Sequence, residues 1–286
     1  MKLSTACLLS LALGFPFSVP LSAPLSAPVG AVESTALPNV SVLTPPLAMP
    51  GLGRSRTIRL YLPPSYAAAA DKRYPVIYMH DGQNLFDAAT SYAGEWGVDE
   101  TLNALAKTTG FEAIVVGIDN GGDQRMTELS PVSNRYIGAA KGREYLSFVV
   151  HVVKPLIDSR YRTLPDRDHT ALMGSSMGGL INHAALLWHP AVFGRAALFS
   201  TAYEAGGSFL DQSLGTRLMP GTRVYFYAGG SESPTMMLDT QRAAAAFARQ
   251  LPAADVTVHS VLANHHNEAA WRSEFAAAVR WLFAVK

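Results

Sequence analysis

Short apolar runs recur along the chain, and each is typical of a strand buried within a sheet. They are Pro75–His80, Ala113–Ile118, Thr170–Met173, Ala196–Phe199, Val224–Tyr227 and Val256–His259. An earlier segment, Arg56–Leu62, roughly alternates polar and apolar residues. That alternation predicts an edge or half-buried strand, and the proline that follows at Pro63 stops it.

Segments in which apolar residues recur at helical spacing lie between these strands. They are Val98–Lys107, Arg143–Ile157, Met177–Trp188, Met236–Gln250 and Asn267–Phe283. Buried strands that alternate with helices indicate a mostly parallel central sheet with helices on both faces. Because the alternation continues from about residue 55 to the C-terminus, we predict one α/β domain over residues 32–286.

The N-terminal segment has a different pattern, with one charged residue, Lys2, and a mostly apolar run from Ala6 to Phe17. A basic start, an apolar stretch and an exit of small residues are typical of a secretory signal peptide. Because Val29-Gly30-Ala31 supplies compact residues at the exit, we predict a signal peptide at residues 1–31. The mature protein would then be exported, to the periplasm or the extracellular space.

Composition and charge exclude several classes of protein. With 49% apolar residues, 16% charged residues and a net charge of +1, the chain does not have the composition of a disordered protein. Its 23 basic and 22 acidic residues provide no positive excess for non-specific binding to nucleic acid. We therefore expect a small-molecule partner rather than nucleic acid, and the composition leaves the oligomeric state open.

The single cysteine, Cys7, lies in the predicted signal peptide. One cysteine excludes a disulfide framework and a multi-cysteine metal site. The apolar run around it is too short to span a bilayer as an ordinary transmembrane helix, so we expect no stable membrane insertion.

A G-x-S-x-G pattern spans Gly174–Gly178 and centres on Ser176. The pattern falls where the predicted strand Thr170–Met173 turns directly into the next predicted helix, which is the setting of a nucleophile elbow. Such a turn exposes the serine hydroxyl above the sheet and places the helix N-terminus beneath it. We therefore predict Ser176 as a catalytic nucleophile, and Ser175 fits less well because its motif would lack the first glycine.

A serine nucleophile needs a histidine base and a carboxylate that orients it, and in α/β-hydrolases both follow the serine in the chain. His266 lies in the loop before the last predicted helix, where the base belongs, with His265 as the second choice. His259 falls on a predicted strand, which indicates a packing residue. Glu232 is the first carboxylate after the next-to-last strand and is the predicted acid, with Asp239 as the alternative.

The loop around His266 has two other interpretations. Asn264 or Asn267 could cap the last helix, and Glu268 would then be a first-turn carboxylate favoured by the helix dipole. Alternatively, His265, His266 and Glu268 could ligate a metal. No complementary ligand spacing occurs upstream, so we expect no metal.

Backbone amides at the ends of neighbouring strands are the expected donors to an oxyanion. One is the amide of Met177, which follows the nucleophile. The other is the amide of Gln83 in the loop after the strand Pro75–His80, with Gly82 as the alternative.

Polar residues after the strand Ala113–Ile118 lie at the same edge of the predicted sheet, where ligands bind in open α/β folds. We predict Asn120 and Arg125 there as substrate-binding residues, with Glu128 as a further lining candidate. A guanidinium at this place would suit an acidic or catechol-like group of the substrate.

Five strings along the chain, taken together, resemble one known family. They are Arg59–Tyr66, Tyr74–Asp87, Gly117–Gly121, Gly174–Gly179 and His266–Trp271. The family is the esterase family of α/β-hydrolases, which includes esterase D, enterochelin-type siderophore esterases and feruloyl or acetyl-xylan esterases. The resemblance covers nearly the whole chain from about residue 40 onward. It implies an α/β-hydrolase fold, Ser176 as nucleophile, His266 as base and an acid in the Glu232 loop.

These features predict a serine carboxylic-ester hydrolase that forms an acyl-enzyme and needs no cofactor. The residues leave siderophore, hydroxycinnamoyl and acetyl-sugar esters open as substrates. An acyltransferase of the same fold would pass the acyl group to a sugar or lipid alcohol, and product analysis with and without an acceptor separates the two. A non-catalytic binding protein on this scaffold would not react with a fluorophosphonate probe.

Overall fold

Eight strands form one sheet in the computed structural model, which describes residues 32–285. They are β1 (Val40–Met49), β2 (Arg54–Tyr61), β3 (Val76–His80), β4 (Ile114–Ile118), β5 (Thr170–Ser175), β6 (Arg195–Phe199), β7 (Arg223–Gly229) and β8 (Val256–Val261). Their order is β1-β2-β4-β3-β5-β6-β7-β8. The β1–β2 and β2–β4 pairs are antiparallel and the other pairs are parallel, which confirms the predicted mostly parallel sheet. The predicted signal peptide, residues 1–31, lies outside the described residues.

The edge strand β1 is absent from the sequence prediction, because Pro45 and Pro46 interrupt its apolar pattern. The pairing register with β2 shifts between Leu43 and Leu47, at these prolines. β1 pairs on one side only, and an edge is where a sheet tolerates proline. The predicted first strand, Arg56–Leu62, is therefore one strand in from the edge, and β2 has the alternating burial of a half-buried strand.

Helices follow the strands, as the pattern predicts. They are α1 (Val98–Thr109), α2 (Arg125–Glu128), α3 (Gly142–Phe148), α4 (Lys154–Arg160), α5 (Met177–Trp188), α6 (Phe209–Ser213), α7 (Met236–Ala248) and α8 (Glu268–Leu282). A π-helical turn over Val149–Val153 joins α3 to α4, and the three together correspond to the predicted helix Arg143–Ile157. Within residues 32–285, every helix falls short of the length and apolarity that a membrane span requires.

The helices pack on both faces of the sheet. Alternate residues of β3 point to opposite faces, so Tyr78 joins one apolar cluster and Met79 the other. Side chains of α3, α5 and α7 belong to the first cluster, and side chains of α1 and α8 belong to the second. This arrangement places the C-terminal ends of the parallel strands at one edge, where the loops that carry the polar candidates converge.

One buried histidine on α5 gives the fold a pH-dependent stability. His183 is fully buried against Phe209 and Phe247, and its Nδ1 lies 3.0 Å from the hydroxyl of Tyr203. Burial lowers the pKa of His183 from 6.5 to about 3. The unfolded chain therefore binds a proton that the folded chain excludes, so stability present above pH 6.5 is lost as the pH falls. Between pH 7 and 5 we expect this histidine to lower the free energy of unfolding by about 2 kcal/mol.

Urea denaturation of the wild type and of His183→Phe at pH 7 and pH 5 measures this contribution. Phenylalanine fits the apolar surroundings of His183 and does not titrate, so the variant should lose less stability on acidification by about 2 kcal/mol. The same pH dependence in both proteins would show that this histidine does not carry the effect.

Candidate active site

The G-x-S-x-G segment forms a sharp turn between β5 and α5. Ser176 has φ 57° and ψ −120°, a strained conformation for a residue with a side chain. Its backbone N–H donates to the carbonyl of Phe199 at 2.9 Å, and its own carbonyl accepts from the N–H of Ala202 at 3.1 Å. These bonds to the chain after β6 hold the backbone in place, and the Ser176 side chain lines a cavity above the sheet.

Glycine is required at this turn because neighbouring groups approach closely. A Cβ at Gly179 would lie 2.6 Å from the Thr201 hydroxyl. A Cβ at Gly174 would lie 3.0 Å from the backbone of Gly178 and from the ring of His80. Gly174 therefore lets β5 and α5 approach closely at the elbow, and Gly179 lets α5 approach the chain that follows β6.

His80, at the end of β3, supports the elbow from below. Its Nδ1 lies 2.7 Å from the hydroxyl of Tyr145, and its Nε2 lies 2.7 Å from Oδ1 of Asn182. Since an amide oxygen only accepts, the Nε2–H donates to it and Nδ1 accepts from the tyrosine. Burial lowers the pKa of His80 to about 4, so this ring is neutral and occupied on both sides. It is therefore a structural histidine and not a second base.

His266 and Glu232 are in direct contact. His266 Nδ1 lies 2.7 Å from Oε2 of Glu232, whose side chain is only 1% exposed. The other carboxylate oxygen accepts from the hydroxyl of Ser200 at 2.7 Å and from the N–H of Gly229 at 2.5 Å. A buried carboxylate with these donors holds the ring in one orientation, and it leaves the opposite nitrogen, Nε2, for the cavity that His266 lines.

Two side chains that the sequence analysis did not single out support this pair. Trp271 packs edge-on against the His266 ring, with ring centroids 5.0 Å apart. Its indole N–H donates to the Ser200 hydroxyl at 2.9 Å, and Ser200 in turn donates to Glu232. Ser200 follows β6 with a positive φ of 44°. Residues other than glycine rarely adopt this backbone conformation. It marks Ser200 in the structure, but no sequence pattern predicts it.

The alternative candidates have other partners. His265 Nδ1 lies 2.9 Å from the carbonyl of Ser231, and His259 Nδ1 lies 2.6 Å from Glu274. Asp239 accepts from Arg242 at 3.1 Å within α7. The structure therefore brings Glu232, and none of these three residues, to His266.

The loop residues around His266 bear on the capping and metal interpretations. Asn267 caps α8, since its side chain accepts from the N–H of Ala270 at 3.0 Å. His265 and His266 use Nδ1 on separate partners, Ser231 and Glu232, rather than on a common centre. A separate group of carboxylates at the start of α1 has oxygens within 4.8 Å of one another, and it shares no residue with this loop. It consists of Glu95, Asp99 and Glu100.

The two candidate oxyanion donors lie at the ends of β5 and β3, which pair in the sheet. Met177 is the first residue of α5, and Gln83 belongs to a single 3₁₀ turn, Gly82–Asn84, directly after β3. Amides in the first turn of a helix have no acceptor within it. A Cβ at Gly82 would lie 2.7 Å from the backbone of Gly117, so glycine lets this turn pack against β4.

The predicted substrate-binding residues form a network with Asp81. Arg125 donates from Nε and Nη2 to the two carboxylate oxygens of Asp81, at 2.6 and 2.8 Å. Asn120 donates from Nδ2 to the same carboxylate at 2.7 Å. Burial opposes the charge of Asp81, but Arg125 and Asn120 hold the pKa of Asp81 below its usual value. The guanidinium is therefore already paired with Asp81, whereas the sequence pattern favours an Arg125 that is available to an acidic or catechol-like substrate group.

One cavity of about 540 Å³ connects these groups. Five of the predicted residues line it: Ser176, His266, Gln83, Asn120 and Arg125. Further lining residues are Asp81, Asn84, Tyr92, Ala93, Trp96, Gly122, Asp123, Ser175, Glu268 and Trp271. Glu232 lies behind His266 and meets the cavity through that ring.

Comparison with known proteins gives consistent matches. The sequence profile of one family, described as putative esterase, matches residues 50–282. The uncharacterized protein YbbA of Bacillus subtilis is 28% identical over 196 residues, which cover 66% of this chain and 73% of that protein. An endo-1,4-beta-xylanase/feruloyl esterase of Xylanibacter ruminicola is 26% identical over 167 residues, 57% of this chain and 21% of that protein.

A solved structure shares the fold. The enterobactin esterase of Shigella flexneri superposes with a TM-score of 0.68 at 20% identity. The match covers 86% of this chain and 59% of that protein. The similarity in fold agrees with the eight-stranded, mostly parallel sheet of an α/β-hydrolase, as the sequence motifs imply.

Proposed function

This chain belongs to the esterase family, and from that premise we propose that it is a serine carboxylic-ester hydrolase that works through an acyl-enzyme. The observation that carries the proposal is one cavity lined by Ser176 at a strained elbow and by His266, whose far side is bound to the buried Glu232. An exposed serine, an oriented imidazole and a buried carboxylate are the parts that nucleophilic ester hydrolysis needs.

In the first half of the reaction, Ser176 Oγ attacks the ester carbonyl while His266 Nε2 takes the hydroxyl proton. Glu232 holds Nδ1–H and stabilises the imidazolium that forms. Collapse of the tetrahedral intermediate breaks the bond to the alcohol oxygen, and His266 gives its proton to the leaving alcohol. The acyl group is then bonded to Ser176.

In the second half, water attacks the acyl carbonyl as His266 takes one of its protons. The bond to Ser176 breaks, the proton returns to Oγ, and the carboxylic acid leaves. In both halves the negative oxygen is stabilised by the amides of Met177 and Gln83, and the partial positive charge at the N-terminus of α5 adds to their effect.

The candidate substrates are esters of hydroxycinnamic acids, of acetylated sugars or of siderophores. The relative named as a feruloyl esterase supports the hydroxycinnamic class, and the structure named as an enterobactin esterase supports the siderophore class. We also propose that the protein is exported, on the basis of the signal-peptide pattern in residues 1–31.

Glu232→Gln tests the role of the acid. The glutamine oxygen can still accept from Ser200 and Gly229, so its NH₂ group would face His266 Nδ1. The imidazole would then carry its proton on Nε2, where it cannot act as a base. We expect kcat for p-nitrophenyl acetate to fall by about 10³- to 10⁴-fold.

Asp239→Asn is the matched control, because it makes the same change in the alternative acid. That carboxylate pairs with Arg242 and does not contact His266. We expect kcat within a few-fold of wild type, in line with the small effect of an exposed ion pair. A large loss of kcat in Asp239→Asn together with a small loss in Glu232→Gln would show that Asp239, and not Glu232, is the acid.

A further inference from the structure

The charges that line the cavity do not balance. Asp81 and Arg125 form a bidentate pair, so their charges compensate each other. Two further carboxylates line the same cavity, Asp123 at the exposed rim and Glu268 in the buried wall, which is 7% exposed as a residue. No other lysine or arginine is among the lining residues, so the cavity has an excess of negative charge.

Glu268 is the first residue of α8, two positions after His266. Asn84 Nδ2 donates to its Oε1 at 3.2 Å, and among residues 32–285 this carboxylate forms no ion pair within 4 Å. The helix dipole favours a negative charge at this place. Burial, and then the nearby charge of Asp81, raise the pKa of Glu268, whereas hydrogen bonds from its own backbone amide and from Asn84 lower it. Without an ion-pair partner in the described part of the chain, the carboxylate charge is only partly compensated.

The groups beside Glu268 are aromatic rings and hydrogen-bonding amides. Trp96 and Trp271 pack against each other with ring centroids 5.7 Å apart and ring planes tilted by 30°, and both line the cavity while remaining almost fully buried. Tyr92 lies at the rim with 93% of its surface exposed. Flat aromatic surfaces next to a carboxylate and amide groups suit a ring or chain that carries hydroxyl groups.

We infer that Glu268 is a specificity-determining residue, which accepts a hydrogen bond from an uncharged, hydroxyl-bearing part of the ester and disfavours esters with a negative charge at that part. The inference rests on the proposed esterase function and narrows its substrate class. An anionic group placed there would meet a carboxylate whose charge is only partly compensated, in a partly desolvated wall, and Arg125 forms its ion pair with Asp81. A hydroxyl group instead gains a charge-assisted hydrogen bond.

The test uses esters that differ in charge and match in size. In one series the acyl group is butyryl and the alcohol is 3,3-dimethylbutanol, choline or 3-sulfopropanol. In the other series the alcohol is methanol and the acid is 5-hydroxypentanoic acid or the monoanion of glutaric acid. The two series place the charge on either side of the scissile bond, because Glu268 could face the alcohol or the acyl part.

For the wild type, we expect kcat/KM for the anionic ester to be about ten- to a hundredfold below that of its neutral partner in at least one series. Glu268→Gln keeps the shape and an acceptor for Asn84 but removes the charge. This variant should reduce the ratio of neutral to anionic kcat/KM by about tenfold or more in that series. Glu144→Gln, the same change on α3 outside the cavity, should leave the difference unchanged.

Glu268→Ala removes the same carboxylate with a smaller side chain, so it provides a second variant if Glu268→Gln does not fold. It should likewise reduce the ratio of neutral to anionic kcat/KM by about tenfold. The inference is overturned if the wild type prefers the anionic ester in both series. It is also overturned if Glu268→Gln, or Glu268→Ala in its place, is folded and active but leaves both ratios unchanged.

These outcomes differ from failure of the esterase proposal itself. If no ester in either series is hydrolysed faster by the wild type than by Ser176→Ala, the proposed function fails. If the neutral esters are hydrolysed through Ser176 but the charge ratios do not respond as above, only the inference about Glu268 fails.

Discussion

Ser176→Ala is expected to lose esterase activity by a factor on the order of 10⁴ or more in kcat, while its fold is retained. The alanine variant has no oxygen to form the acyl-enzyme, so His266 has no serine hydroxyl to deprotonate. The cavity and the amides of Met177 and Gln83 remain, and these explain why some activity above the uncatalysed rate should persist. Kinetics with p-nitrophenyl acetate measure the loss.

Ser175→Ala is the matched control for this prediction. It makes the same chemical change in the neighbouring residue of the motif, which lies at the end of β5 and also borders the cavity. We expect kcat within about tenfold of wild type, since Ser175 forms no covalent bond in the proposed mechanism. Circular dichroism and thermal unfolding check that both variants fold. Equal losses in the two variants would contradict Ser176 as the nucleophile.

His266→Asn is expected to have an effect of similar size, a fall in kcat on the order of 10⁴-fold or more. Asparagine can still contact Glu232 but cannot accept the proton from Ser176 at neutral pH. The reaction of the serine with a fluorophosphonate should slow as well, because the same proton transfer activates the serine there. Both rates are measured at one pH with one preparation.

The other histidines of this part of the chain provide the controls. His265→Asn changes the adjacent residue, which contacts the carbonyl of Ser231, and His259→Asn changes a histidine paired with Glu274. Both variants should keep kcat within a few-fold of wild type, because neither ring contacts Glu232. If His265→Asn abolished activity and His266→Asn did not, the base would be His265.

The buried strands and long helices could be predicted because each has a clear apolar period. The helix that follows the elbow has the predicted bounds, Met177–Trp188. β1 could not be predicted, because an edge strand needs fewer apolar residues and tolerates Pro45 and Pro46. A local apolar pattern reflects burial in the core, whereas most residues of β1 are exposed and the strand pairs with β2 alone.

The candidate site was predictable where it depends on chain order and local geometry. The elbow serine, the loop histidine and the carboxylate after β7 each follow from a strand end, and the structure brings Glu232 and His266 within 2.7 Å. The partners of Arg125 and Glu268 were not predictable. Arg125 and Asp81 lie in two different loops and form an ion pair only in the folded chain. From the sequence, Glu268 is predicted only as a carboxylate in the first turn of a helix, although it also lines the cavity. Contacts between loops that lie far apart along the chain produce no local sequence pattern, so they could not be predicted.

The central claim is that Ser176 is the nucleophile of a serine esterase, and covalent labelling tests it most directly. The wild-type protein is treated with a fluorophosphonate, and its intact mass and modified peptide are determined. We predict one adduct per chain, located on Ser176, with no adduct in Ser176→Ala and little effect of Ser175→Ala. An unlabelled wild type, or an adduct of equal yield in Ser176→Ala, would contradict the account.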